Sequence, residues 1–142
     1  MNVIFKGIAS TVFCLGLSTS FALGGFISAA PKALITRNTT EVESNAYVNV
    51  QGDTGLNPSV HPTHKNSVGS VSWYLVRGAC NPYKVGNACK AEIRMATDTD
   101  HPISLGVVTL DLETGDITPK QLSKDGYTLT VNGPADCTLS KQ

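Results

Sequence analysis

The stretch "KAEIRMATDTDHPISLGVVTLDLE", residues 90–113, decides the fold. Its first part puts Ala91, Ile93 and Met95 on one face and Glu92, Arg94 and Ala96 on the other; its last part sets Val108, Leu110 and Leu112 against Thr109, Asp111 and Glu113. Successive side chains of a strand point to opposite sides of a sheet, so this alternation marks two half-buried strands. Working outward, "SVSWYLVRG" (70–78) reads the same way, with Val71, Trp73 and Leu75 opposite Ser72, Tyr74 and Val76. So does "GYTLTVNG" (126–133), with Tyr127, Leu129 and Val131 opposite Thr128 and Thr130. Four such segments separated by turn residues predict an all-β domain, an antiparallel β-sandwich or partly open barrel of about six to seven short strands. A true immunoglobulin domain places its tryptophan between two core cysteines. Here Trp73 precedes both Cys80 and Cys89, so any likeness is architectural.

One helical signal interrupts the strands. In "ITPKQLSKDG" (117–126), Thr118 suits a cap, Pro119 the first helical position, Gln121 a capping box and Gly126 a left-handed terminus, which predicts a short helix near 119–125. A turn-containing edge strand is the alternative.

The first half of the chain is less apolar. Between Pro31 and Ser70 only "ALIT" (33–36) and "AYVNV" (46–50) alternate, and "QGDTGLNPSVHPTHKNSVG" (51–69) offers little to bury. Residues 31–68 therefore read as a polar segment with one or two weak strands and a long loop, and 69–142 as the main β domain. A loop of that length inside a compact domain is unusual, so a single domain over 31–142 is the other division.

Ahead of all this, residues 1–24 form a secretory signal. Lys6 is followed by an apolar run from Ile8 to Leu23 with no charge before Lys32. Small residues place cleavage within 22–30, after Ser20-Phe21-Ala22 or Ala22-Leu23-Gly24; Pro31 disfavours the site at Ser28-Ala29-Ala30. A retained anchor competes, but Ser18, Thr19, Ser20, Gly24 and Gly25 weaken it, so no stable membrane insertion of the mature chain is expected. Cys14 follows Phe13 rather than the small residue that lipid modification wants, and it leaves with the signal. The expected destination is the periplasm or the exterior.

Export removes Lys6 and leaves 10 of the 11 Lys and Arg against 11 Asp and Glu. The cations are dispersed, so no field for nucleic acid or anionic lipid is present.

An oxidising compartment gives meaning to Cys80 and Cys89, which flank two predicted strand ends and bracket "NPYKVGNA" (81–88). Their pairing is expected. Cys137 is then odd: it pairs with one of them instead, bridges two molecules, or stays buried as a small apolar residue. A nucleophilic thiol needs an electropositive neighbour, and none is local to it.

His61 and His64 in "HPTH" are three apart, and His101 ends "DTDH" (98–101). Pro62 argues against the helix that would aim two imidazoles at one metal, and the glutamate of a zinc-protease motif is missing. These three histidines are the only metal candidates, and the expectation is no metal and no cofactor. Gly-x-Ser-x-Gly and phosphate-loop patterns are absent, and "ETGD" (113–116) is a tight turn around Gly115. Asn38-Thr39-Thr40 has the form of a glycosylation acceptor in a host with that machinery.

The residues point to recognition rather than catalysis. Tyr83 and Lys84 between Pro82 and Gly86 put an aromatic ring and a cation on a pre-ordered loop, which lowers the entropy lost on contact. The expected function is binding of a protein or glycan, as an envelope, adhesion or host-interaction module. Two alternatives stand beside it: an inhibitor of an extracellular enzyme that leads with Lys84 of the 80–89 loop, and a metal-dependent enzyme using the three histidines.

Overall fold

The computed structural model describes residues 29–48 and 57–142; the export signal over 1–24 and residues 51–56 of the polar loop lie outside them. Ten strands, β1 (Ala33–Asn38), β2 (Ser44–Val48), β3 (Asn57–Pro58), β4 (Ser67–Ser72), β5 (Ala88–Met95), β6 (Ile103–Asp111), β7 (Ile117–Thr118), β8 (Gln121–Lys124), β9 (Tyr127–Gly133) and β10 (Asp136–Lys141), and one helix, α1 (Trp73–Cys80), make up these residues. The strands form two five-stranded sheets, ordered β4-β1-β10-β9-β8 and β3-β2-β5-β6-β7. All pairs are antiparallel except β1 and β10. The fold is an all-β sandwich.

Alternation holds where it was clearest. Cys89 and Met95 of β5 are buried together with Leu105, Val108 and Leu110 of β6, and Leu129 of β9 meets Leu139 of β10 in the same core. Lys90, Ser104 and Val107 face outward. Burying these aliphatic side chains fully contributes about 1.5–3 kcal/mol each.

Two segments differ from the sequence-based expectation. The strand read over 70–78 stops at Ser72, and Trp73–Cys80 is helical. The buried residues of α1 are Trp73, Val76 and Cys80, an i, i+3, i+7 stripe, whereas Tyr74 and Leu75 are exposed. In so short an apolar run both periods fit, and tertiary contacts decide. The Trp73 amide donates to the Lys32 carbonyl (2.9 Å), and the indole N–H donates to the Leu112 carbonyl (3.0 Å).

The helix expected near 119–125 is absent. Residues 119 and 120 form a bend after a cis Thr118–Pro119 peptide, and Gln121–Lys124 is the edge strand β8. Asp125 (φ 53°) and Gly126 (φ 85°) form the two-residue turn of the β8–β9 hairpin, a geometry whose positive φ angles suit Asp-Gly. Gly126 thus serves a hairpin and not a helix end.

The polar half is built into the sandwich. β1 lies between β4 and β10, and β2 lies between β3 and β5. From Asn57 onward the stretch read as a loop runs along β2: Pro58 faces Tyr47, the Ser59 amide donates to the Ala46 carbonyl, and Thr63 exchanges two hydrogen bonds with Ser44 (2.8 and 2.9 Å) before β4 begins. Asn38, read as a glycosylation acceptor, is 2% exposed. In the folded chain its amide is a structural group, out of reach of modification. At Gly115 (φ 82°), the turn after β6 passes so close to Pro31 that an added Cβ would overlap its ring, so only glycine fits.

Candidate functional site

The expected staple is formed. Cys80 ends α1, Cys89 is the second residue of β5, and their sulfurs are bonded across a Cα–Cα distance of 5.8 Å. The chain between them is well tied. The Tyr83 and Lys84 amides both donate to the Cys80 carbonyl (2.9 Å each), and Val85 and Ala88 exchange hydrogen bonds of 2.9 and 3.0 Å around Gly86-Asn87. The Asn87 carbonyl accepts from the Leu112 amide (2.8 Å). Since the Leu112 carbonyl also accepts from Trp73, one residue after β6 stitches the helix and the turn to the same place. Replacing both Cys80 and Cys89 by Ser is expected to lower the unfolding free energy by about 2–3 kcal/mol, since a ring this short removes that much freedom from the unfolded chain. Urea titration of both proteins checks it.

Lys84 is exposed, but Tyr83 is only half-exposed and turns part of its surface inward. The more prominent apolar groups lie beside it. Tyr74 is 83% and Val85 70% exposed, and with Leu75 they are three of the six large apolar side chains exposed among the described residues. The helical period explains why the sequence hid Leu75. Read as a strand, the segment sends Leu75 into the core.

Beneath this face lies an apolar cavity of about 500 Å³ between the two sheets. Its origin is legible strand by strand. Inward positions carry short side chains at Thr36 of β1, Ala46 of β2 and Ala91 of β5, whereas at Gly69 of β4 the Thr63 side chain fills the space a Cβ would take. Around them Leu34, Val71 and Ile93 face inward yet keep part of their surface accessible. At about 24 cal/mol per Å³, a sealed void of this size would cost on the order of 10 kcal/mol, comparable to the whole stability of a domain. The cavity is open instead. Its lining reaches the surface at Leu75, Ala79 and Pro82 on one side and at Val60 and His61 on the other.

Cys137 lines this space from β10. It is buried and unpaired, and burial, helped by the negative charge of Asp136, pushes its thiol up to about 11. A thiol so held stays protonated at neutral pH and behaves as a small apolar group.

The histidines are all on the surface. His64 lies 3.5 Å from the Glu43 carboxylate, and His61 and His101 are exposed at turns. No group of three or more His, Cys, Asp or Glu side chains that could hold a metal occurs among the described residues. The outer face of the second sheet carries one further polar cluster. Arg94 donates to Glu92 (2.8 Å) and lies over the Tyr47 ring at 4.4 Å.

These features define a class, the disulfide-stapled β-sandwich with a displayed helix-and-turn face and an accessible apolar interior. The chain belongs to the NttC family, described as "T2SS substrate NttC", which it matches over residues 1–142. Among solved structures it is similar to the crystal structure of the Legionella pneumophila type II secretion system substrate NttC, at 48% identity and a TM-score of 0.74, over 80% of this chain and all of that one. No curated protein matches it. It is an exported protein, as the charge-free run before Lys32 implies.

Proposed function

We propose that this exported protein acts by non-covalent recognition, through the face made by α1 and the turn that follows it. The observation that carries the reading is the gathering of exposed Tyr74, Leu75, Lys84 and Val85 within twelve positions of a segment tethered by Cys80–Cys89. Exposed aromatic and aliphatic groups on a pre-ordered scaffold lose little entropy on contact and supply most of the energy of an interface. The residues of this face contribute little to the core, so the sandwich does not need them. The partner that suits the face is a protein or glycan at a cell surface, which makes the protein an envelope or host-interaction module.

The test applies the labelled, disulfide-intact mature protein to bacterial envelopes and to intact eukaryotic cells. Saturable binding to one of them is expected, reduced at least tenfold by Tyr74→Ala with Lys84→Ala. The same pair should change the unfolding free energy by no more than about 0.5 kcal/mol, as exposed substitutions do. Binding that survives both substitutions would remove the reading. Stoichiometric inhibition of a trypsin-like protease, lost in Lys84→Ala, would move the function from adhesion to inhibition.

A further inference from the structure

The cavity between the sheets is unused by the surface reading and stands independently of it. Ligand pockets fall in the range of roughly 300–1,000 Å³, with apolar walls and a few polar groups at fixed places. This one has that size, about 500 Å³. Its inner walls are aliphatic: Leu34 and Val71 from one sheet, Ile93 and Val108 from the other, with Leu129 and Leu139 behind. The polar side chains on its inner walls are uncharged, among them Thr36, Ser44 and Thr63. The Ser44 hydroxyl donates to the Arg94 carbonyl (2.9 Å), and the buried Cys137 thiol is neutral. No Asp, Glu, Lys or Arg is on its lining, so nothing inside favours a charged ligand.

Shape narrows the class further. Facing sheets in a sandwich are about 10 Å apart, a gap normally filled by interdigitating side chains from both. Here the gap is left by short residues on both faces, Thr36 on one and Ala46 and Ala91 on the other, while the space over Gly69 is taken by the Thr63 side chain. Space created by removing a layer of aliphatic side chains has the thickness of that layer, so it suits an unbranched hydrocarbon chain better than a broad fused-ring molecule. The rim fits as well. Val60, 85% exposed, and Leu75 are apolar groups at the opening, continuous with the apolar walls, while Ser59 and His61 supply polarity beside Val60.

We propose that the inter-sheet cavity is a binding site for the alkyl chain of a single-chain amphiphile, a free fatty acid or a lysophospholipid, which enters between α1 and the Pro58–His61 segment and leaves its polar head at the surface. Binding replaces water against apolar walls by hydrocarbon. Each added methylene therefore tightens it about fourfold until the cavity is full.

The experiment uses the mature protein with its disulfide intact and 11-(dansylamino)undecanoic acid as the probe. One saturable site per chain is expected, with displacement by saturated fatty acids of eight to eighteen carbons showing that steep rise and then a plateau. Lysophosphatidylcholine and the free acid of equal chain length are compared in the same assay. Displacement by both, or by one with the length dependence retained, supports the site, and the second result names the source. Ala91→Phe and Ala46→Phe fill the cavity and should weaken probe binding at least tenfold without lowering the thermal midpoint.

Should either variant fail to fold, Cys137 gives the answer in the natural protein. Its alkylation, followed at about pH 9 where enough thiolate forms to react, should slow at least fivefold when the cavity is occupied, because Cys137 lines it. Absence of saturable binding, affinity that ignores chain length, or Cys137 labelling unchanged by saturating fatty acid would each overturn the proposal. So would dimerisation that covers the opening and blocks the probe, since the occupant of the apolar rim would then be a second copy.

Discussion

Trp73→Ala is expected to destabilise the protein by about 3–5 kcal/mol, the range for emptying the site of a large buried aromatic side chain. Trp73 is buried at the first turn of α1, in the core with Leu112. Three losses coincide: the buried apolar area, the packing of α1 on the sandwich, and the indole hydrogen bond to the Leu112 carbonyl (3.0 Å). Leu112 also anchors the turn at Asn87, so loosening should spread to the stapled segment. Trp73→Phe separates the terms. It keeps most of the apolar volume and removes the donor, and a loss of about 1–3 kcal/mol is expected for the carbonyl left unpaired. Trp73 is the protein's single tryptophan, so urea unfolding of the variants is followed by far-UV circular dichroism. A loss below about 1 kcal/mol for the alanine variant would mean that α1 is not docked through this ring.

The second large effect is at Asn38, where Asn38→Leu should cost about 1–3 kcal/mol although leucine is the more apolar residue. Asn38 holds a corner at which three chain segments meet. Its amide nitrogen donates toward the carbonyls of Val42 (2.9 Å), His64 (3.1 Å) and Thr63 (3.3 Å), and its oxygen accepts from the Thr40 amide (3.0 Å) and hydroxyl (2.7 Å). An NH₂ group has two hydrogens, so the three carbonyls share them. Leucine fills the volume but takes the acceptor from the buried Thr40 amide, a loss of about 1–3 kcal/mol, while the carbonyls of Val42, Thr63 and His64 each keep one other donor, the Thr40 hydroxyl, the Ser44 amide and the Ser67 hydroxyl. Asn38→Asp keeps the acceptor and turns the donor into a negatively charged oxygen facing three carbonyls, so it too should be strongly destabilising at neutral pH. Equilibrium denaturation of both variants checks this, and a change within 1 kcal/mol for either would show that water substitutes for the amide.

These two residues mark the boundary of what the sequence makes legible. The β5 and β6 alternation, the Cys80–Cys89 pair and the tight turn at Gly115 depend on local spacing, and all three read correctly. The period of α1 does not, because Val71, Trp73 and Leu75 satisfy period two as well as Trp73, Val76 and Cys80 satisfy the helical one; only contacts with Lys32 and Leu112 choose. Likewise, Asp125-Gly126 ends a helix or turns a hairpin equally well until β9 is known to lie beside β8. Asn38 hides in a polar run because its partners at Thr63 and His64 are about 25 positions away. The cavity is hardest to read. It arises from three short residues on three strands, Thr36, Ala46 and Ala91, and their meeting depends on the register of both sheets. Alternation did offer a partial signal, since Ala91 sits at an inward position flanked by Cys89 and Ile93.

The parallel pairing of β1 with β10 bears on timing. Arg37 reaches Asp136 through two hydrogen bonds of 3.1 and 3.3 Å across 99 positions, and β10 is the last of the described strands as β1 is the first. The strand at the centre of the first sheet is therefore joined to β1 only by a contact that is remote in sequence. Pairings this distant in sequence form slowly, after the closing of a long loop. Without Asp136–Lys141 in place, β9 and β1 both present open edges, and the first sheet is split into two halves with a gap in the middle. β10 is thus a keystone: losing it opens the sheet at its centre instead of trimming a border.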